Sequence, residues 1–232
     1  MAGGVRGLGL AVARRLAEDG ALVHVTWRGS EQRAAELESE FPGRVHRLDL
    51  LDPGAVAELL ERIVAEDGSL DRVVSTVGDY HAGSLAETGP ERLEALWRSN
   101  VVTAMNLVDA ARPHLRAGGG RLLLFGCAGL AGLRARRECA AYAAAKSALL
   151  VLLRSFAVEE APHGVTANMI SPGLVPHDAA HATTLDPELQ AAIPAGRPGT
   201  LDEVAAAASF LLSDAAAHVT GTDLVLAGGW ML

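Results

Sequence analysis

Apolar runs just long enough to be strands alternate with longer segments of helical period along the whole chain, and this alternation narrows the fold more than any other feature. Strands are expected over 21–26, 44–48, 71–77, 121–125, 165–170 and 224–226. Helices are expected over 7–19, 31–40, 55–65, 90–116, 140–160 and 201–212, with Asp52-Pro53 opening the third. Strands separated by helices imply crossover connections, which run parallel and cover both faces of one sheet. The expected fold is therefore α/β, a doubly wound parallel sheet in a single domain, 1–232. Ligands of such sheets sit beyond the carboxyl ends of the strands, so chemistry is sought in the residues after each strand.

Composition removes other classes. At 232 residues the chain is the size of one domain, half of it hydrophobic, and too apolar to be disordered. A formal net charge of −8 argues against nucleic acid as a partner. No uninterrupted apolar run approaches the roughly 20 residues of a membrane span, so no membrane partner is expected. Metal ligands are not expected. Two cysteines, Cys127 and Cys139, make no disulfide framework, and a cytoplasmic location follows. Of the 20 basic residues only Lys146 is lysine; the other 19 are arginine. A lysine surviving such a bias is expected to be needed for its own chemistry, which arginine does not copy at a proton-transfer site.

The chain opens MAGGVRGLG, in which Gly3, Gly7 and Gly9 lead straight into a helix. Such a turn lets backbone N–H groups of residues such as Leu8 approach a pyrophosphate at the positive helix end. A buried strand normally precedes such a turn, and here only Met1 and Ala2 do; the expectation is that the natural start lies upstream, or that this start is internal to a longer reading frame. Arg28, at the end of the strand over 21–26, suits a 2′-phosphate better than a ribose hydroxyl, and Arg6 adds a second charge; NADP(H) is favoured over NAD(H). Tyr142 and Lys146 stand four apart on one helix face, where an ammonium would favour the phenolate and bring the phenol toward a working acid/base.

These motifs resemble those of the short-chain dehydrogenases/reductases, and the resemblance covers essentially the whole chain. AGGVRGLG is similar to the family's TGxxxGxG turn, with Ala2 in place of threonine. Asp49-Leu50 resembles its adenine-contacting pair. Asn100 matches the asparagine that holds a water of the proton relay, and Tyr142 and Lys146 match the catalytic pair. NMISPG resembles N-x-x-x-P-G, so that Pro172 and Gly173, with Val175 just beyond, are expected to line the nicotinamide. The tail from Ile193 resembles the bacterial 3-oxoacyl-[acyl-carrier-protein] reductase branch. The resemblance implies a Rossmann-like fold, a substrate lid at approximately 174–195, and a homodimer or homotetramer.

Departures are equally visible. The family's Asn-Asn-Ala-Gly is Ser75-Thr76-Val77-Gly78 here, of which Thr76, Val77 and Gly78 are still expected at the cofactor. The position of the substrate-orienting serine falls on Cys127, a weak donor: it is a weakened stand-in, or a nearby hydroxyl takes over, or the enzyme is degenerate. His177 replaces a threonine after Pro-Gly. The expected activity is reduction of a ketone to an alcohol, on a 3-oxoacyl thioester or related β-keto compound, small or carrier-bound, with Asn100, Cys127, Tyr142 and Lys146 catalytic. The alternatives are a catalytically weakened dinucleotide-binding relative and an alcohol, sugar or polyketide-ketone dehydrogenase. Arg134, Arg136 and Arg137 are expected to form a basic patch for an acidic carrier.

Overall fold

The computed structural model describes residues 1–132, 134–177 and 187–231. In chain order the elements are α1 (Gly7–Glu18), β1 (Val25–Trp27), α2 (Glu31–Leu37), β2 (Val45–Arg47), α3 (Pro53–Asp67), β3 (Arg72–Ser75), α4 (Leu85–Trp97), α5 (Thr103–Gly118), β4 (Arg121–Phe125), α6 (Ala140–Glu160), β5 (Thr166–Pro172), α7 (Pro187–Ala191), α8 (Leu201–Leu211) and β6 (Asp223–Leu226). All strand pairs are parallel: β2 with β1, then β3, β4, β5 and β6 in that order. Ala2 joins the two groups through single bridges to Thr26 and Ser75. The expected first strand is thus present as a stub rather than wholly absent, with Ala2 N–H donating to the Val74 carbonyl at 2.8 Å and Thr26 N–H to the Met1 carbonyl at 3.0 Å.

Period-two alternation in the buried strands builds two cores. Val73, Leu122, Leu124 and Met169 face one cluster, beneath α3, α5 and α6. Val74, Leu123, Phe125 and Ile170 face the other, with Val12 and Leu16 of α1 and Val204 and Ala208 of α8. Helix starts follow local chemistry. Asp52 accepts from Ala55 N–H at 3.0 Å to open α3, while Ser84-Glu87 and Thr200-Glu203 form reciprocal capping boxes at α4 and α8. The helix through Ala140–His163 is long and apolar enough to cross a membrane by length and composition, but half of that stretch is buried in the fold. At its end Glu160, fully buried, accepts from Arg116 at 2.6 and 2.8 Å and from Arg112 at 3.0 Å, tying α6 to α5.

Several expected boundaries differ. Residues 21–24 are not strand, because the line they would pair with holds only Met1 and Ala2. The expected helix over 90–116 is two helices and begins earlier, at the Ser84 cap. It is kinked at Gly89 (φ 61°), before Pro90, and interrupted by a π turn at Arg98–Val102. α7 was not foreseen. The expected lid falls partly outside the described residues, at 178–186.

Candidate active site

A cavity of about 480 Å³ opens at the carboxyl ends of the central strands. Of the residues expected at a cofactor, it is lined by Gly3, Arg6, Leu8, Gly9, Arg28, Asp49, Leu50, Thr76, Val77 and Gly78. The glycine turn is packed as tightly as the sequence implies: a Cβ on Gly9 would lie 2.1 Å from the Gly3 carbonyl oxygen and 2.8 Å from Thr76 Oγ1. α1 has no capping side chain and no acidic residue in its first turn, so its N-terminal N–H groups and positive dipole end are left to face the cavity. Arg28 Nη1 stands 3.8 Å from Asp49 Oδ1 on the rim. A cradle this close, with an uncapped helix start and two guanidinium groups, fits an elongated anion such as a dinucleotide phosphate.

Gly78 links this cavity to the buried Asn100 and Lys146. A Cβ there would lie 2.2 Å from Asn100 Oδ1 and 3.2 Å from Lys146 Nζ. Asn100, fully buried in the π turn, donates through Nδ2 to the carbonyls of Asp79 (2.9 Å) and Leu96 (3.0 Å). Its Oδ1 is buried without a hydrogen-bond partner among the described residues, the mark of a place where a water or ligand hydroxyl belongs. Lys146 is 4 % exposed and donates to the Phe125 carbonyl at 2.8 Å. Burial brings its pKa down to about 8. Tyr142 is half-buried, with Nζ of Lys146 5.8 Å from its ring centre, and burial raises its pKa. At neutral pH the phenol therefore holds its proton, the reverse of the shift toward phenolate expected from the neighbouring ammonium: burial dominates, and the Lys146 amine is given to the Phe125 carbonyl.

Cys127 follows β4 and packs against the first core, and burial pushes its thiol up to about 11, so it is no thiolate nucleophile. Cys127 and Cys139 are both free. Pro172 accepts from Ala128 N–H at 2.9 Å, which sets it beside Cys127, and Gly173 N–H is taken by Leu226. Pro172, Gly173 and Val175 do not line the 480 Å³ cavity, and the Val175 side chain is buried in the second core.

Two loop residues stand beside the site. Tyr80 lies edge-on to Tyr142, ring centres 5.1 Å apart at 83°; its loop is pinned by Gly83 N–H donating to the Glu138 carbonyl at 2.7 Å. His177 lines the cavity, and its Nδ1 would be 2.3 Å from a Cβ on Gly7. Both come from loops folded over the site. The expected basic patch is partly spent within the fold. Arg134 is turned onto the Met231 carbonyl and Arg136 onto the Ala128 carbonyl (2.7 Å) and Met231 sulfur (2.8 Å), while Arg137 is exposed.

An anion cradle on one side of Gly78 and a buried Tyr-Lys pair on the other define an oxidoreductase of the nucleotide-binding α/β class. Residues 3–231 match the family described as enoyl-(acyl carrier protein) reductase. The 3-oxoacyl-[acyl-carrier-protein] reductase FabG of Escherichia coli (strain K12) is 33 % identical over 233 residues, covering 98 % of this chain and 94 % of the relative. L-fucose dehydrogenase of Bos taurus is 34 % identical, covering 98 % and 86 %. Among solved structures, a blue fluorescent protein from a metagenomic library in complex with NADPH superposes with a TM-score of 0.89 at 30 % identity, covering 100 % of this chain and 96 % of the other. The chain belongs to the short-chain dehydrogenase/reductase family, and it is an enzyme, an oxidoreductase similar to the 3-oxoacyl-[acyl-carrier-protein] reductases.

Proposed function

We propose that this chain reduces a ketone to an alcohol at the expense of NADPH, the ketone being a 3-oxoacyl thioester or related β-keto compound. The observation that carries the reading is Gly78, whose missing side chain lets the phosphate cradle, Asn100 Oδ1 and Lys146 Nζ converge beside Tyr142. The solved NADPH complex and the reductase relatives support the choice of cofactor and substrate class. When bound, the reduced dinucleotide supplies the hydride.

The chain's residues do the rest. Tyr142, protonated at neutral pH, gives its proton to the carbonyl oxygen as charge develops there. Lys146, charged below about pH 8, stabilises the phenolate left behind and holds the nicotinamide ribose. Asn100 Oδ1 holds a water through which the proton is replaced. Cys127 orients the carbonyl through a weak S–H donor, at a cost of about 1–2 kcal/mol relative to a hydroxyl. Pro172 and Gly173 border the nicotinamide. Such an enzyme works in the cytoplasm as a homodimer or homotetramer.

The test is NADPH consumption with a 3-oxoacyl thioester, wild type beside Tyr142→Phe. The variant is expected to bind NADPH unchanged and lose about 10³-fold in kcat. Binding by both without turnover by either favours the weakened relative, for which Cys127 speaks. Arg28 makes a separate prediction. Arg28→Ala should raise KM for NADPH by about 10-fold or more and leave KM for NADH unchanged, because only the former offers a 2′-phosphate. Equal changes for both cofactors would remove Arg28 from the binding site.

A further inference from the structure

The chain has two tyrosines, Tyr80 and Tyr142, and the fold brings them together with their rings edge to face, centres 5.1 Å apart at 83°. Aromatic pairs favour this arrangement because the positive edge of one ring meets the negative face of the other. Tyr142 sits in the first turn of α6, and Cys139 at the N-cap of that helix makes no side-chain capping bond. An uncapped start leaves backbone N–H groups unsatisfied, and helix ends fray. The phenol is thus carried by a helix end that its own cap residue does not fix.

The segment 79–83 supplies what that end lacks. At one side the Asp79 carbonyl accepts from Asn100 Nδ2 at 2.9 Å and Asp79 N–H donates to Ser99 Oγ at 3.3 Å, so the π turn holds it. At the other, Gly83 N–H donates to the Glu138 carbonyl at 2.7 Å and Gly83 forms a parallel bridge with Cys139, which ties down the residues just before α6. Between these ties Tyr80 lies against Tyr142, while Lys146 Nζ stands 5.8 Å from the Tyr142 ring centre. The Lys146 amine is engaged by the Phe125 carbonyl, and Cys127 is a weak donor, so neither fixes the phenol as a strong hydrogen bond would. The Tyr80 ring holds it by contact instead.

We infer that Tyr80 is a positioning residue: through its ring contact, and through the doubly tied segment that bears it, it holds Tyr142 in the orientation from which the phenol gives its proton. What the held phenol does rests on the proposed reaction; that it is held is read separately, by its titration. The Tyr80 ring covers part of Tyr142, and burial is the largest cause of the raised Tyr142 pKa. Removing the ring therefore moves two quantities together, the rate of proton transfer and the ionisation of the phenol.

Tyr80→Ala and Tyr80→Phe, beside the wild type, test it. Tyr80 is 64 % exposed, so both variants are expected to fold, and Tyr80→Leu, which fills space without a ring, replaces Tyr80→Ala if that one does not. In every variant Tyr142 is the one tyrosine left, so its ionisation is read directly by ultraviolet absorbance in a rapid jump to about pH 11, a unit above the ordinary phenol value. Tyr80→Phe keeps the ring; its phenol should stay protonated there and kcat for a 3-oxoacyl thioester should stay within about 2-fold of wild type. Tyr80→Ala should be largely ionised at that pH and lose about 10-fold in kcat, with KM for NADPH unchanged. Equal behaviour of the two variants, or ionisation in Tyr80→Ala without loss of kcat, would overturn the assignment. If the wild type binds NADPH but reduces no ketone, the proposed reaction falls, and the absorbance alone decides whether Tyr80 holds Tyr142: a phenol equally protonated in both variants overturns it.

Discussion

Lys146→Met is expected to abolish turnover and at the same time make the protein more stable. The amine is almost fully buried, and its pKa falls from 10.5 to about 8 because burial disfavours the charge. That fall corresponds to about 3 kcal/mol carried against folding, and losing the bond to the Phe125 carbonyl returns about 1 kcal/mol of it. Methionine has similar length and no charge, so a net gain of about 2 kcal/mol is expected, seen as a Tm several degrees higher at pH 7. The direction with pH is fixed. The charge is present in the folded protein below about 8, so the cost is fully felt there; it is relieved as the pH rises from about 8 toward 10.5. The gap in Tm between wild type and variant should therefore close over that range. Reductive turnover by the wild type should decline over the same range as Lys146 loses its proton, so the variant's deficit, about 10³-fold at pH 7, should narrow as the pH rises. A variant that melts lower and still turns over would remove Lys146 from the mechanism.

The second large effect is expected at Gly9. A Cβ there meets the Gly3 carbonyl oxygen at 2.1 Å, and backbone does not swing aside as a flexible side chain would. Gly9→Val should push α1 off the turn, cost roughly 4 kcal/mol or more, and eliminate NADPH binding, read by thermal unfolding and by fluorescence titration. Gly132→Ala, where a Cβ meets nothing within 4 Å, should shift stability by no more than about 0.5 kcal/mol. Similar losses in both would mean that glycine content, and not the close approach at Gly9, sets the effect.

Much of the site could be read from spacing because its residues act within single turns. Gly3, Gly7 and Gly9 crowd one loop, and Tyr142 and Lys146 share one helix face, so local periodicity places them. Asn100 was identified by its motif, but its setting was not. The π turn at Arg98–Val102, in which Asn100 Oδ1 lies against Gly78, has no residue signature. The contacts of Tyr80 and His177 were illegible for a similar reason: a loop residue's partner is decided by where the loop lands. Arg134 and Arg136 read as a basic patch because sequence shows charge but not the carbonyls that take it up.

By itself, the sequence determined the layered architecture and the placing of Tyr142 and Lys146 on one helix face. Apolar period and the separation of residues on one helix depend only on backbone geometry, which any chain with this pattern shares. Tertiary structure alone decided how far the strand after Gly20 extends, which face of Lys146 meets Tyr142, and which carbonyls take up Arg134 and Arg136. Each of these depends on atoms distant in the chain arriving side by side, and a strand forms only where a neighbour supplies its hydrogen bonds.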